Sequence, residues 1–470
     1  MNIEEEKIDP KLLKMAVIMV FGLVAPALNA TIVNIAIGTI IAEFNSTISV
    51  VQWITTGYIL VMGIAVPISA WLVNRFSGKT VYLTSLVIFF VGSVFAAFSW
   101  NIEVLIFSRI LQGLGAGILI PTLSTVLVRL TGNAKLGRLM AIVSIPALII
   151  PILGPVLGGL IVNKLPWQWI FYINIPICIA AVILAVKYIE KDEPVNKNQP
   201  LDVIGTLLLS AAFSILVIGI SKLRTVHGIG NISAITPLLI GLALLIAYVI
   251  YALNAKIEPV LDVRLFKLSN FSSSSILLLV SGGIITGTLF ILPLFFQQVQ
   301  NSNAIMAGLF LAPQGIGMLC TRGLGGKITD KMGSRVVVLI SIIITIIGTI
   351  PFVFANSATD KIFLTIALFV RGCGLGGVAI PVMVSIYDGL TKEQVAHGTT
   401  ATRIFQQIGG SVGTAVLAII LQNHMPVNAD TEMVGKAFNT VFLWSIGFAV
   451  ISIIPAIFLP MKKEQTEANK

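Results

Sequence analysis

Charge is scarce in this chain. Only 11% of its 470 residues are Asp, Glu, Lys or Arg, against roughly 25% in a typical soluble domain. So little polar surface cannot cover a globule of this size in water, which excludes an ordinary soluble enzyme. Disorder is excluded too, because it needs high charge and low hydrophobicity. Cysteine is also scarce. Cys178, Cys320 and Cys373 each fall in an apolar run, an odd set that fits neither a disulfide framework nor a metal site. No G-x-x-x-x-G-K-[ST] loop occurs, which argues against a pump driven by ATP. The run Gly374-Leu375-Gly376-Gly377 lies inside an apolar stretch rather than after a strand, so it is no dinucleotide loop. No cofactor and no metal are expected.

What the chain has in abundance is hydrocarbon. It is 56% hydrophobic, with a mean hydropathy of +0.99. Fourteen apolar stretches follow one another: 15–37, 48–73, 80–98, 102–126, 139–162, 170–186, 203–220, 232–251, 271–296, 307–326, 336–355, 362–385, 398–421 and 438–459. Each is long enough to cross about 30 Å of hydrocarbon at about 1.5 Å per residue. The expectation is an all-α polytopic protein of the cell membrane.

The net charge of +10 reports topology rather than nucleic acid. Alternate loops sort the 30 Lys and Arg into 22 on one side, five on the other and three (Arg109, Arg322 and Arg371) within spans. By the positive-inside rule both termini are cytoplasmic. The chain opens on Glu4-Glu5-Glu6 with no cleavable signal evident, so the first span is expected to stay as an anchor.

The halves repeat. Ala70-Trp71-Leu72-Val73-Asn74-Arg75-Phe76-Ser77-Gly78-Lys79 follows span 2, and Gly326-Lys327-Ile328-Thr329-Asp330-Lys331-Met332-Gly333-Ser334-Arg335 follows span 10, 256 residues later. Arg109 opens a glycine-rich span, and Arg371 opens another 262 residues on. Parallel repeats of this kind mark transporters. The expected organisation is a six-helix bundle over 1–186, a linker with two accessory spans over 187–260, and a second six-helix bundle over 261–470.

Several motifs carry a resemblance. They are the turn Gly326…Asp330-Lys331…Gly333…Arg335, the run Arg109-Ile110-Leu111-Gln112-Gly113 in span 4, Gly154-Pro155-Val156-Leu157-Gly158-Gly159 in span 5, and Trp167-Gln168-Trp169-Ile170-Phe171-Tyr172 before span 6. Leu28-Asn29-Ala30-Thr31 in span 1 and Trp53-Ile54-Thr55-Thr56-Gly57-Tyr58 in span 2 add to them. Together they resemble the major facilitator superfamily, in its branch of 14-span drug:proton antiporters and within that the lincomycin-resistance-type multidrug exporters. The resemblance implies alternating access and efflux of small amphipathic molecules, antibiotics among them. It also implies an antiporter motif at Gly154, Pro155, Gly158 and Gly159. It places a cytoplasmic gate at Arg75, Asp330, Lys331 and Arg335, whose charges read either as a latch onto helix ends of the neighbouring bundle or as a solvated topology signal. A monomer is expected. A membrane-embedded receptor or enzyme would need a deep catalytic cluster or a large extramembrane domain, and neither is visible.

A buried guanidinium cannot shed its proton, so Arg109 must face the bundle interior and be paired or hydrated. Gln112 follows at i+3 on the same face. Asn29, Asn34, Tyr58, Arg109, Gln112 and Gln314 are the candidate cavity residues, with Thr56, Gln297, Gln298, Gln406 and Gln407 as further lining groups. In this branch many relatives carry a carboxylate where Asn29 stands, and an amide cannot titrate. Every Asp and Glu falls in a loop, a tail or a span end. Proton coupling would therefore use an edge group, with Glu43, Glu103 and Asp388 as candidates. Export of an endogenous metabolite, lipid or signalling nucleotide without classical proton coupling stays open beside antiport.

Overall fold

The computed structural model describes residues 10–190, 193, 200–222, 232–255, 257, 259–387, 390, 394–425 and 431–461. Side chains at 127–152, and at Asn74, Arg322, Asp330 and Lys331, also lie outside what is described, as does Asp388 entirely. The described chain is helical almost throughout. In order the helices are α1 (Pro10–Glu43), α2 (Ile48–Arg75), α3 (Gly78–Ala97), α4 (Ile102–Lys164), α5 (Trp169–Tyr172), α6 (Asn174–Tyr188), α7 (Val203–Ser221) and α8 (Ile232–Asn254). The second half holds α9 (Ser269–Gln298), α10 (Ala304–Met332), α11 (Ser334–Val353), α12 (Lys361–Tyr387), α13 (Gln394–His424), α14 (Thr431–Ile451) and α15 (Ile453–Ile457).

Thirteen of these segments, searched among the described residues, are long and apolar enough to cross a membrane. Their limits follow the apolar runs of the sequence. The difference lies in α4, which runs through both span 4 and span 5. A straight helix of its 63 residues would reach about 95 Å. Its two parts instead meet neighbouring turns of α1: Arg109 reaches the Asn29 carbonyl, and a Cβ on Gly154 would strike Thr31. The segment therefore leaves and returns as two crossings.

Side-chain acceptors start several helices. Asn101 accepts from the Val104 N–H and Asn303 from the Met306 N–H, which answers donors the first turn leaves open. Asn45 and Asn301 both sit in left-handed backbone (φ 46° and 47°) at the turns before α2 and α10, a conformation asparagine tolerates better than most residues. They are 256 residues apart, as are the starts of α2 and α10 (48 and 304) and of α3 and α11 (78 and 334).

Helices α1, α2, α3, α4 and α6 pack on one another, and so do α9 to α14. The pair α7–α8 stands beside them, touching α2 and α13. One face of the molecule bears Pro10 and Met461. On the opposite, far face lies a large apolar cluster built from both halves, including Ile40, Ile102, Trp167, Phe295, Phe296, Phe352 and Phe438.

Candidate functional site

Arg109 is 1% exposed and lies about 10 Å along α4 from its start at Ile102. Its Nε donates to the Ile54 carbonyl (3.0 Å), Nη1 to Gln112 Oε1 (2.8 Å) and Nη2 to the Asn29 carbonyl (3.4 Å). The guanidinium carbon lies 4.1 Å from the centre of the Tyr58 ring, a cation–π geometry. Every partner is neutral. Tyr58 is held in turn by its hydroxyl, which donates to the Pro26 carbonyl (3.2 Å). Gln112 uses its other end to donate from Nε2 to Ser93 Oγ (2.8 Å). The i+3 spacing thus does bring Gln112 to Arg109.

Arg371 is equally buried. Nε donates to Thr349 Oγ1 (3.2 Å), Nη1 to Gln314 Oε1 (2.8 Å) and Nη2 to Thr288 Oγ1 (2.7 Å). Here too the partners are neutral. Gln314, read from sequence as a cavity group, is the partner of this second guanidinium.

The glycines show how the halves correspond, and they correct the pairing of Arg109 with Arg371. Gly113, Gly115 and Gly117 press against Tyr58, Phe89 and Met62. Gly372, Gly374 and Gly376 press against Gln314, Thr345 and Met318. The partners are 256 residues apart (58 and 314, 89 and 345, 62 and 318), but the glycines are 259 apart (113 and 372, 115 and 374, 117 and 376). Gly92 packs on Gln112 as Gly348 packs on Arg371. Arg371 therefore occupies the place of Gln112, not of Arg109. Ser93 and Thr349 likewise match, each receiving a bond from that position. The second half carries its cation one helical turn further along.

Asn29 is fully buried, and neither its Nδ2 nor its Oδ1 has a hydrogen-bond partner among the described residues. The Thr56 hydroxyl is in the same state. Asn34 is satisfied: its Oδ1 accepts from the Thr55 hydroxyl (2.9 Å), tying α1 to α2. Gln297 donates to the Ile35 carbonyl (3.2 Å), and Gln407 packs against Gly63. Both contacts join the two halves. So do Gln422, whose Oε1 accepts from the Ser49 N–H (2.7 Å), and Ser411, whose hydroxyl donates to the Thr56 carbonyl (3.4 Å). Gln422 and Ser411 carry no sequence signal for this role, because their partners are more than 350 residues away.

The glycines of the fifth span seat two helices. Gly154 and Gly158 lie against Thr31 and Ile32 of α1, while Gly159 meets Ala304 and Ile305 of α10. The Pro155 carbonyl lies where a Cβ on Gly308 would be. This segment is the close-packed joint between the halves.

At the face bearing Pro10, the two repeated basic turns behave alike. Lys79 Nζ donates to the Val186 carbonyl near the end of α6 (2.9 Å). Arg335 Nε donates to the Leu459 carbonyl just beyond α15 (2.8 Å). Lys79 thus caps the last helix of its own half, where carbonyls carry partial negative charge, and Arg335 ties its turn to the segment that follows α15. In this arrangement Arg335 bonds within its own bundle. Arg75 lies over the Trp71 ring (5.5 Å). The side chains of Asp330 and Lys331 lie outside the described residues. Gly333 takes φ 81° in this turn, whereas Ser77 has φ −61°, which is why only the second turn requires glycine.

Among the described residues, carboxylates stand only at helix ends and in connections. Glu43 and Glu103 are exposed at the far face, and Asp202 alone is buried. Asp388 lies outside the described residues.

Comparison with known proteins agrees with this geometry. Residues 19–414 match the Major Facilitator Superfamily. The chain is 30% identical to a multidrug resistance protein B homolog of Mycobacterium tuberculosis, covering 97% of this chain and 92% of that one. It is 28% identical to the lincomycin resistance protein LmrB of Bacillus subtilis, covering 92% of each. It is 29% identical to the multidrug export protein EmrB of Haemophilus influenzae, covering 85% and 79%. In fold it is similar to a crystal structure of a POT peptide transporter with sulfate (TM-score 0.70, 12% identity, 96% of each chain). It is also similar to a crystal structure of the nucleoside transporter NupG (TM-score 0.65, 13% identity, 98% of this chain and 100% of that one). With its paired halves, its buried arginines and this match over most of its length, the chain belongs to the Major Facilitator Superfamily.

Proposed function

We propose that the protein is a secondary exporter of small amphipathic molecules that works by alternating access. Its halves, 1–186 and 261–470, rock about a midplane site, and the accessory pair stands between them in sequence. The observation that carries this reading is the pair of guanidiniums at Arg109 and Arg371. Among the described residues each is held only by neutral groups, which leave its positive charge uncancelled. Asn29 and Thr56, whose side chains have no partner among the described residues, supply hydrogen-bonding capacity for a polar substrate group. Such a site favours neutral, zwitterionic or anionic amphiphiles over cations. Exporters named for multidrug and lincomycin resistance among the relatives support the direction of transport. The excess of basic residues puts both termini in the cytoplasm, which makes the closed far face the external one.

Intramembrane proton relays use carboxylates or imidazoles at depth, and the described spans carry none. Energy coupling therefore runs through an edge group or through the substrate's own charge. The deciding experiment is uptake into proteoliposomes under an imposed pH gradient, with the Glu43→Gln/Glu103→Gln double variant alongside. Uptake is expected to survive the double substitution. Loss of the pH response in that variant would assign coupling to the far edge. Undiminished transport of an anionic substrate by Arg109→Ala would remove Arg109 from the site.

A further inference from the structure

An acid, Asp202, stands immediately before the apolar run of α7, where a carboxylate answers the open N–H groups of a helix start. It is 5% exposed and reaches further than its own helix. Asp202 accepts from the N–H of Gly205 (2.8 Å), the Tyr251 hydroxyl (2.6 Å) and the N–H of Val260 (3.0 Å). One side chain thus ties the start of α7 to the last turn of α8 and to the segment that leads on to α9. Tyr248 fastens the same segment: its hydroxyl accepts from the Leu261 N–H and donates to the Leu261 carbonyl, both at 2.8 Å. Arg264 adds a bond to the Leu253 carbonyl of α8 (3.1 Å).

That segment is seated in the second half. The Ser272 hydroxyl of α9 donates to the Phe266 carbonyl. The Phe266 ring lies edge-on to Phe271 of α9 (5.1 Å between centres) and to Phe405 of α13 (5.7 Å), a favourable aromatic geometry. One buried apolar cluster runs from Leu209 of α7 and Tyr248 of α8 through Leu265 to Phe271, Val338 and Ala401. Its described members come only from the accessory pair and the second half. Towards the first half, α7 faces Gly63 and Ile64 of α2 across a seam of hydrocarbon, with room for about one water-sized group left between them. The hydroxyls on this face of α7 are spent on its own backbone: Thr206 donates to the Asp202 carbonyl (2.7 Å) and Ser210 to the Thr206 carbonyl (2.6 Å). Such a surface can shift without breaking directional bonds, whereas the hold on the second half is a set of them, strengthened where the acceptor is charged.

We propose that the accessory pair is mechanically part of the second half: α7 and α8 travel with it, and α7 slides over α2 when the halves rock. Asp202 is the clasp that makes three pieces of chain one body. The inference rests on the alternating-access reading, and its test reads the rocking separately from the fate of the accessory pair.

The full-length protein, cleared of its native thiols and held in nanodiscs, receives nitroxide labels two at a time at Val87→Cys of α3, Ile343→Cys of α11 and Leu242→Cys of α8, all exposed positions. Distances are read by pulsed dipolar spectroscopy in the parent and in two variants that crowd the joint. These are Gly308→Val, against the Pro155 carbonyl, and Gly159→Val, against the Ala304 carbonyl; an unchanged size-exclusion profile is the control for folding. The pair at 87 and 343 reports the rocking itself and is expected to shift by about 5 Å or more, one helical turn. The pair at 242 and 87 is expected to shift with it, while 242 to 343 stays within about 2 Å. A shift at 242 to 343, whether or not 242 to 87 also moves, would overturn the proposal. A fixed distance from 87 to 343 would remove the rocking, and the proposal with it. Asp202→Asn puts an N–H donor against one of the three donors it now faces, so the 242 to 343 distribution is expected to lose its single narrow peak while 87 to 343 keeps its own. A peak that stays narrow would remove Asp202 as the clasp.

Discussion

Arg371 and Asn29 pose opposite problems. Arg371 has three good partners and no counter-charge, while Asn29 has no side-chain partner among the described residues. Removing the guanidinium altogether also removes the cost of burying it, at least ~2.5 kcal/mol on insertion scales. Lysine keeps that cost and loses the fork that reaches three acceptors at once. Arg371→Lys is therefore expected to be less stable in detergent than Arg371→Leu by about 1–3 kcal/mol, read as a lower unfolding temperature. The reverse order would mean that the site is hydrated. Asn29→Leu deletes no hydrogen bond and conserves volume, so its unfolding is expected within about 1 kcal/mol of the parent. If Asn29 meets substrate as proposed, transport should fall all the same. How legible these residues are depends on distance along the chain. Gln112 follows from Arg109 because helical spacing makes neighbours of i and i+3. The set around Arg371 does not, since Gln314, Thr288 and Thr349 come from three other helices. Aligning arginine with arginine gives an offset of 262, and only the glycine contacts reveal the shift to 259.

At the level of helices, the spans themselves are readable, because length and hydropathy are what a bilayer selects. The 256-residue repeat of the turns is readable too, but not its use. Lys79 caps α6 and Arg335 bonds the backbone just beyond α15, each within its own half. A charged contact of this kind contributes about 0.3–1 kcal/mol and is screened by salt. Arg335→Gln is expected to lower thermal stability by that order in dilute buffer, with the difference shrinking at high salt. The fifth span's glycines read from sequence as either a bend or a packing face, and their contacts favour packing across the joint. Gly308→Val would press a side chain on the Pro155 carbonyl, and overpacking costs about 1–3 kcal/mol. We expect it to open the far face, making Ala304→Cys reactive to a water-soluble maleimide in a chain cleared of its native thiols, and to slow export. Unchanged reactivity would show that α10 yields without moving the joint.

Across the whole molecule, the seam at the far face joins the halves through a phenylalanine-rich cluster and a few amides such as Gln297 and Gln422. Opening it wets hydrocarbon instead of parting ions. Such a closure should be nearly indifferent to ionic strength, with a positive heat capacity of opening, and it should weaken on cooling. Chilled vesicles ought then to show more of the form open at the far face than warm ones, measured as maleimide access to Ala304→Cys between 5 and 35 °C (roughly the span over which apolar hydration changes sign in enthalpy). Temperature would thus set the resting posture of this gate before any substrate arrives.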